Sequence, residues 1–276
     1  MTNDTIKILF FGDIVGRPGR FAVRDFLTKF QDKNNFDFIL ANVENASHGF
    51  GLTPKNYEEL IEYGIDGMTS GNHIFDKKDL LSVMDSSDKL VRPLNYPSQM
   101  PYGKGSRIIE KNGIKIGVIN LLGQVFTMPV RSQWELIKEE IEKLKQETPI
   151  IFIDFHAEAT AEKICFGRYC SELGVSAFVG THTHIQTADE NVLNNMAYIT
   201  DVGFCGAKDG VIGMSYESSL NRFLTGLQER YEVADSDELQ INAVEIEIDK
   251  NSGFAISIKR IFDVVNNKEK EKDNEV

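Results

Sequence analysis

Five short apolar runs constrain this chain most: "IKILFFG", "FDFILANV", "IDGMTSG", "PIIFIDF" and "VSAFVGT". Each is too short for a core helix and is followed directly by a polar residue, and all but "IDGMTSG" are rich in Ile, Val or Phe, the pattern of a strand buried on both faces. Between them lie amphipathic segments such as "GRFAVRDFLTKFQDK" and "GLTPKNYEELIEYG". In the second, Thr53 suits a helix N-cap, Pro54 the first helical position and Gly64 the stop. Apolar strand alternating with amphipathic helix predicts an α/β fold whose first half is parallel.

The later chain adds antiparallel pieces. "SRIIEKNGIKIGVINLL" places Asn-Gly between two apolar strands, a hairpin signal, and "LQINAVEIEIDKNSGFAISIKRIFDV" reads as two alternating strands around a turn from Asp249 to Gly253. The segment "SQWELIKEEIEKLKQE" reads as a charged surface helix. Without a linker or an internal repeat, the simplest organisation is one layered domain over residues 1–265, its strands in mixed arrangement with helices on the faces. A charged, apolar-poor tail over 266–276 is then expected to be disordered.

Composition narrows the function. Acidic residues outnumber basic ones by 42 to 30, a net charge of -12, which opposes broad electrostatic binding of nucleic acid. No apolar run approaches the roughly 20 residues that span a bilayer, and the start "MTND" is polar, so a cytoplasmic enzyme is expected. Three cysteines, Cys165, Cys170 and Cys205, lack CxxC spacing and read as reduced thiols.

The chemistry collects where the apolar runs end. Asp13 follows the first, Glu44 and Asn45 the second, Asn72 and His73 the third, His156 the fourth, and His182 and His184 the fifth. In open α/β sheets the carboxyl ends of the strands line the ligand crevice, so five loops would deliver these groups to one place. Imidazoles, carboxylates and amide oxygens together suit borderline first-row metals better than Ca or Mg. If "HTH" continues the strand, its two imidazoles face one pocket about 6–7 Å apart and serve adjacent ions.

Taken singly, each group has a plainer reading. Asp13 would cap the following helix, Glu44 would be a solvated turn residue, Asn72 with His73 a Gly-Asn turn, and His156 a satisfied core histidine. Removing the site requires all of these at once. His48, Asn95 and Gln186 are weaker candidates, as substrate contacts, and Asp154 is a candidate acceptor that orients a ligand imidazole. The glycines of "GDIVGRPGR" match neither GxGxxG nor a P-loop.

In order and separation, "GDIVG", "VEN", "SGNH", "DFHAE" and "GTHTH" resemble the metallophosphoesterases, most closely the YmdB-like branch of bacterial cyclic-nucleotide phosphodiesterases, over about residues 7–262. The wider superfamily carries GDxHG and GDxxD. Here Val15 stands at the first histidine and Glu44 with Asn45 at the aspartate.

The resemblance implies a layered metallophosphoesterase-like fold and a two-metal centre. Asp13, Asn45 and His184 would hold one ion, Asn72, His156 and His182 the other, and Glu44 would bridge. A metal-bridging hydroxide would attack phosphorus, with His73 as acid or charge stabiliser. Iron or manganese is expected, with a small phosphodiester, a 2',3'- or 3',5'-cyclic nucleotide, as substrate and a homo-oligomer as the assembly. Two other classes compete: a metal amidohydrolase, disfavoured because its His-x-His lies on the first strand, and a non-catalytic metal- or nucleotide-binding regulator, which would not need His73.

Overall fold

A computed structural model describes residues 4–29, 36–227 and 231–267. In chain order it contains β1 (Thr5–Phe11), β2 (Asp13–Ile14), α1 (Gly16–Lys29), β3 (Phe38–Asn42), α2 (Pro54–Tyr63), β4 (Gly67–Thr69) and the short α3 (Leu81–Met84). Then follow β5 (Ser106–Lys111), β6 (Ile114–Leu122), α4 (Gln133–Leu144), β7 (Ile151–His156), α5 (Thr160–Glu172) and β8 (Ala177–Thr181). The last part holds β9 (Asn191–Leu193), β10 (Met196–Ile199), β11 (Phe204–Ala207), α6 (Tyr216–Thr225), β12 (Glu238–Asp249) and β13 (Ala255–Asn266).

Local signals act as their chemistry requires. Thr53 caps α2 by accepting from the Asn56 amide, and Gly64 ends it at φ 100°. Asn112 and Gly113 both take positive φ, 53° and 76°, the requirement of a two-residue type I′ hairpin between β5 and β6. The Asp249–Gly253 turn closes with the Gly253 amide on the Asp249 carbonyl. Of the tail expected from residue 266, Asn266 ends β13, Asn267 is buried, and residues 268–276 lie outside the described residues.

The strands divide between two mixed sheets. One runs β2-β11-β12-β1-β3-β4 with β13 beside β12, the other β5-β6-β7-β8-β10-β9. Parallel pairing joins β1, β3 and β4 in the first and β6, β7, β8 and β10 in the second.

Strand periodicity explains the layering. In β1, Ile6, Ile8 and Phe10 face the second sheet, where they meet Ile116, Val118, Phe152 and Val179. Leu9 and Phe11 face the other way, against Val23 and Phe26 of α1 and Leu60 of α2. The second sheet repeats this outward, with Ile153 and Phe155 packed on Ile137 and Ile141 of α4 and Phe166 of α5. Phe10 and Phe152 meet across the sheets at 5.2 Å between centroids. The order is helix, sheet, sheet, helix, and each apolar side chain fully buried contributes about 1.5–3 kcal/mol. No helix among the described residues is long and apolar enough to cross a membrane.

Candidate functional site

At one end of the sandwich the strand ends meet. Asp13 lies in β2, Glu44 and Asn45 in the turn after β3, Asn72 and His73 in the turn after β4, and His156 ends β7. His182 and His184 follow β8. The approach is close enough to dictate glycine at position 71, where a Cβ would press into Glu44 Oε2 and lie 2.5 Å from His156 Nε2.

Hydrogen bonding fixes which ring nitrogens face inward. Thr181 donates its hydroxyl proton to Asp154 Oδ1 at 2.7 Å, so at 2.9 Å it accepts from His156 Nδ1 and leaves Nε2 to the centre. There Nε2 lies 3.0 Å from Glu44 Oε1 and 3.0 Å from His182 Nδ1. On the far side of its ring, His182 Nε2 meets Glu158 Oε2 at 3.0 Å. His184 Nδ1 donates to the Ile212 carbonyl at 2.8 Å, which turns its Nε2 toward Asn45 and Asp13. Asp154 therefore reaches His156 through Thr181 rather than directly. Its other oxygen accepts from Asn42 and Thr69.

The strand geometry expected for "HTH" does not hold. β8 stops at Thr181, and His182 and His184 take φ of 101° and 62°, so the pair sits on a left-handed turn, not an extended strand. Its hold is Asp201: one carboxylate oxygen accepts from the amide and hydroxyl of Thr183 at 3.1 and 2.7 Å, the other from the Gly203 amide. The same carboxylate pairs with Lys163 at 2.6 Å, both side chains 1% exposed. The His182 amide is fixed in turn by Asp13 Oδ2 at 3.0 Å. Strain of about 1–3 kcal/mol per such residue persists only under contacts of this kind.

Electrostatics follow from burial and crowding. Burial pushes the Asp13 carboxyl up against the pull of His184 and His156. Glu44 is also fully buried, yet His156 and His73 hold it below the usual carboxylate range. For His156, burial disfavours the imidazolium, but Glu44, Asp13 and Asp154 outweigh it and push the ring up to about 9. His182 goes the opposite way, down to about 3, through burial and the neighbouring His156. Burial raises Asp154 to about 6.

The donor set fits transition-metal ions. Asp13 Oδ1, Asn45 Oδ1 and Asn72 Oδ1 are buried without a hydrogen-bond partner among the described residues. Buried oxygens are normally satisfied, so orphaned acceptors beside imidazoles and a buried carboxylate are the donor types a transition-metal ion would use. Donor atoms of Glu44, His156 and His182 lie within 4.8 Å of one another, close enough to hold a metal ion.

Other candidates are placed differently. His73 stands beside the cluster, its amide on Glu44 Oε2 and its Nδ1 2.8 Å from Asp76 Oδ2. Asp76, three residues on, was not among the sequence candidates, although the spacing offered it. His48 is exposed and lines two other cavities, beside Arg17. The Asn95 amide is engaged by the backbone of Leu122 and Arg131, and that of Gln186 by three carbonyls, Val202, Ala243 and Ile261. These two side chains tie loops together, because a strand-end amide is recruited by the nearest unpaired backbone groups.

A cavity of about 340 Å³ opens over Glu44, Asn45, His73, His182 and His184, walled beyond them by Phe50, Ile212, Met214, Phe223 and Tyr231. A family model described as YmdB-like protein matches residues 9–261. A 2',3'-cyclic-nucleotide 2'-phosphodiesterase of Bacillus subtilis (strain 168) is 45% identical over 258 residues, 93% of this chain and 97% of that one. Among solved structures, a novel phosphatase of Mycoplasma pneumoniae superposes with a TM-score of 0.89 at 36% identity, covering 99% of this chain and 98% of that one. A hypothetical protein from Thermus thermophilus gives 0.84 at 32% identity, with 94% and 99% covered.

Proposed function

Because this chain belongs to the YmdB-like family of metallophosphoesterases, we propose that it is a metal-dependent phosphodiesterase that hydrolyses small cyclic nucleotides. The observation that carries the reading is the close group of Glu44, His156 and His182, whose donor atoms lie within 4.8 Å of one another, beside the orphaned Oδ1 of Asp13 and the inward Nε2 of His184. Asp13, Asn45 and His184 would hold one ion and Asn72, His156 and His182 a second, with the Glu44 carboxylate available to both. The Asn45 Nδ2 atom donates to Glu44 Oε1 at 3.0 Å and lies 3.3 Å from His184 Nε2; with a cation between these groups the amide would turn over to present Oδ1. Oxygen-rich and imidazole-rich donors together suit iron or manganese. Bound there, such ions supply Lewis-acid polarisation of phosphoryl oxygen and a water-derived nucleophile at neutral pH.

The chain's own residues do the rest. Asp76 holds Nδ1 of His73 and leaves Nε2 for the cavity, where it protonates the departing oxygen as the P–O bond of the diester breaks, or stabilises charge on phosphorus. Glu158, by holding His182 Nε2, keeps Nδ1 turned inward. The walls keep bulk water off one side of the reacting group.

The test is metal analysis of the purified protein, followed by stripping, reconstitution with Mn or Fe, and assay on bis-p-nitrophenyl phosphate, 2',3'-cyclic AMP and 3',5'-cyclic AMP. Absence of turnover with every metal and diester refutes the reading. In the same assay His73→Ala keeps its metal and loses about 10²–10⁴ in kcat. Loss of metal in that variant would instead make His73 a ligand.

A further inference from the structure

The cavity has an apolar half that phosphodiester chemistry does not use. Phe50, Tyr231 and Phe223 line it together with Val211, Ile212 and Met214. Phe50 is anchored edge-on to His73 with ring centroids 5.0 Å apart, and Tyr231 lies 6.4 Å from Phe50 and carries the Arg222 guanidinium over its face at 4.8 Å. Phe223, on α6, lines the same space yet is 81% exposed. Unlike Phe126, whose own cavity is lined by no second Phe or Tyr among the described residues, this exposed ring shares its cavity with Phe50 and Tyr231, so together they offer flat apolar faces to a ligand.

A second observation says what the occupant carries. Ser219, one turn before Phe223 on α6, is 2% exposed and lines the cavity, and its Oγ has no hydrogen-bond partner among the described residues. A hydroxyl in mid-helix usually turns back to the carbonyl four residues earlier or reaches solvent. This one does neither, and its residue lines the cavity, so a polar edge that reached it between the flat apolar faces would meet an unspent donor and acceptor. Flat, apolar on both faces and polar at the rim describes a nucleobase. The volume, about 340 Å³, is at the small end of ligand sites and leaves little room for a second nucleotide.

We propose that Phe50, Tyr231 and Phe223 form a stacking subsite for the base of a mononucleotide and that the Ser219 hydroxyl pairs with its edge. The subsite rests on the phosphodiesterase reading and deepens it: it assigns the residues that hold the base while the phosphodiester lies at the metal-binding end of the cavity. It is also tied mechanically to the site, because the turn that supplies Ile212 to the apolar wall supplies its carbonyl to His184 Nδ1.

The experiment compares 2',3'-cyclic AMP with base-free ribose 2',3'-cyclic phosphate on the metal-loaded protein, by kcat/KM and by equilibrium binding. Phe223→Ala, at an exposed position that does not threaten folding, lowers the preference for the nucleotide about tenfold or more, through KM, as loss of one base stack requires. Ser219→Ala lowers it about threefold, the scale of one neutral hydrogen bond. Phe126, an exposed aromatic lining a separate cavity on the other side of His73 and His182, provides the control, and Phe126→Ala keeps the preference. An unchanged preference in Phe223→Ala, or its loss in Phe126→Ala, overturns the proposal. So does Phe223→Ala changing only the oligomeric state, which would make the ring a contact between copies. If the wild type hydrolyses neither compound, the phosphodiesterase reading fails while the binding comparison still decides the subsite.

Discussion

Replacing Lys163 by Met probes the hold on the histidine turn. The substitution keeps the aliphatic stem but deletes the ammonium 2.6 Å from Asp201, where both side chains are 1% exposed. The Asp201 carboxylate keeps three donors, the Thr183 amide and hydroxyl and the Gly203 amide, and loses the cation paired with it. Stranding one charge of a buried pair costs about 3–5 kcal/mol. The remaining donors place this case near the lower end. For a chain of 276 residues the unfolding entropy is about 0.6 kcal/mol/K, so the melting temperature falls by about 5 °C. Calorimetry on chelated protein at constant pH reads this directly, with metal binding removed from the balance. Adding Asp201→Asn removes the stranded charge and recovers part of the loss. A Lys163→Met melting temperature within about 1 °C of wild type, or a double variant that is the plain addition of two losses, refutes the reasoning. Metal content after reconstitution gives the functional side. It falls further in Asp201→Ala, which releases the Thr183 amide and hydroxyl, than in Lys163→Met.

Two more outcomes follow from the site. Thr181→Val keeps volume but removes the hydroxyl between Asp154 and His156, and metal affinity drops about 10–100-fold, measured by competition with a chelating dye; unchanged affinity would mean the relay does not orient His156. Metal affinity also depends on pH. His156 in the metal-free protein is raised to about 9, so below that pH an ion displaces its proton, and affinity climbs by up to about tenfold per pH unit toward 9. For folding without metal the sign reverses: the raised group stabilises fully below about 6.5 and its contribution is lost as pH rises through 9. Mn titrations in buffers of different ionisation enthalpy count the protons, and flat affinity from about pH 6.5 to 8.5 contradicts the assignment.

Side chains that end apolar runs were readable from sequence because strand length and strand end are set by the same few residues. Asp13, Glu44, Asn45, His156, His182 and His184 come within about 4 Å of one another in pairs for that reason, and Asn72 shares a cavity wall with His182. The division into two sheets was less visible, because a buried strand reads the same whichever sheet receives it. The turn of the two histidines was hidden altogether. Positive φ at non-glycine residues carries no sequence mark, and its support comes from Asp201 and Lys163, which in isolation read as a strand-end charge and a helix-surface charge. The Ile212 carbonyl could not be found in principle, since a backbone acceptor has no side-chain signature. Ser219 escaped because a serine in "YESSLNRFLT" looks like ordinary helix surface until the cavity beside it is known.

The two-sheet arrangement sorts the proposed ligands by element. Asp13, Glu44, Asn45 and Asn72 all stand on or just beyond strands of the first sheet, and His156, His182 and His184 on or just beyond strands of the second. Every oxygen comes from one layer and every nitrogen from the other, so neither layer alone offers a complete coordination sphere. An ion held by both would act as a rivet through a seam, and its grip would measure how the two layers are aligned. A substitution deep between the sheets, far from any ligand, would be felt at a bound metal as a change in the gap between oxygen and nitrogen donors.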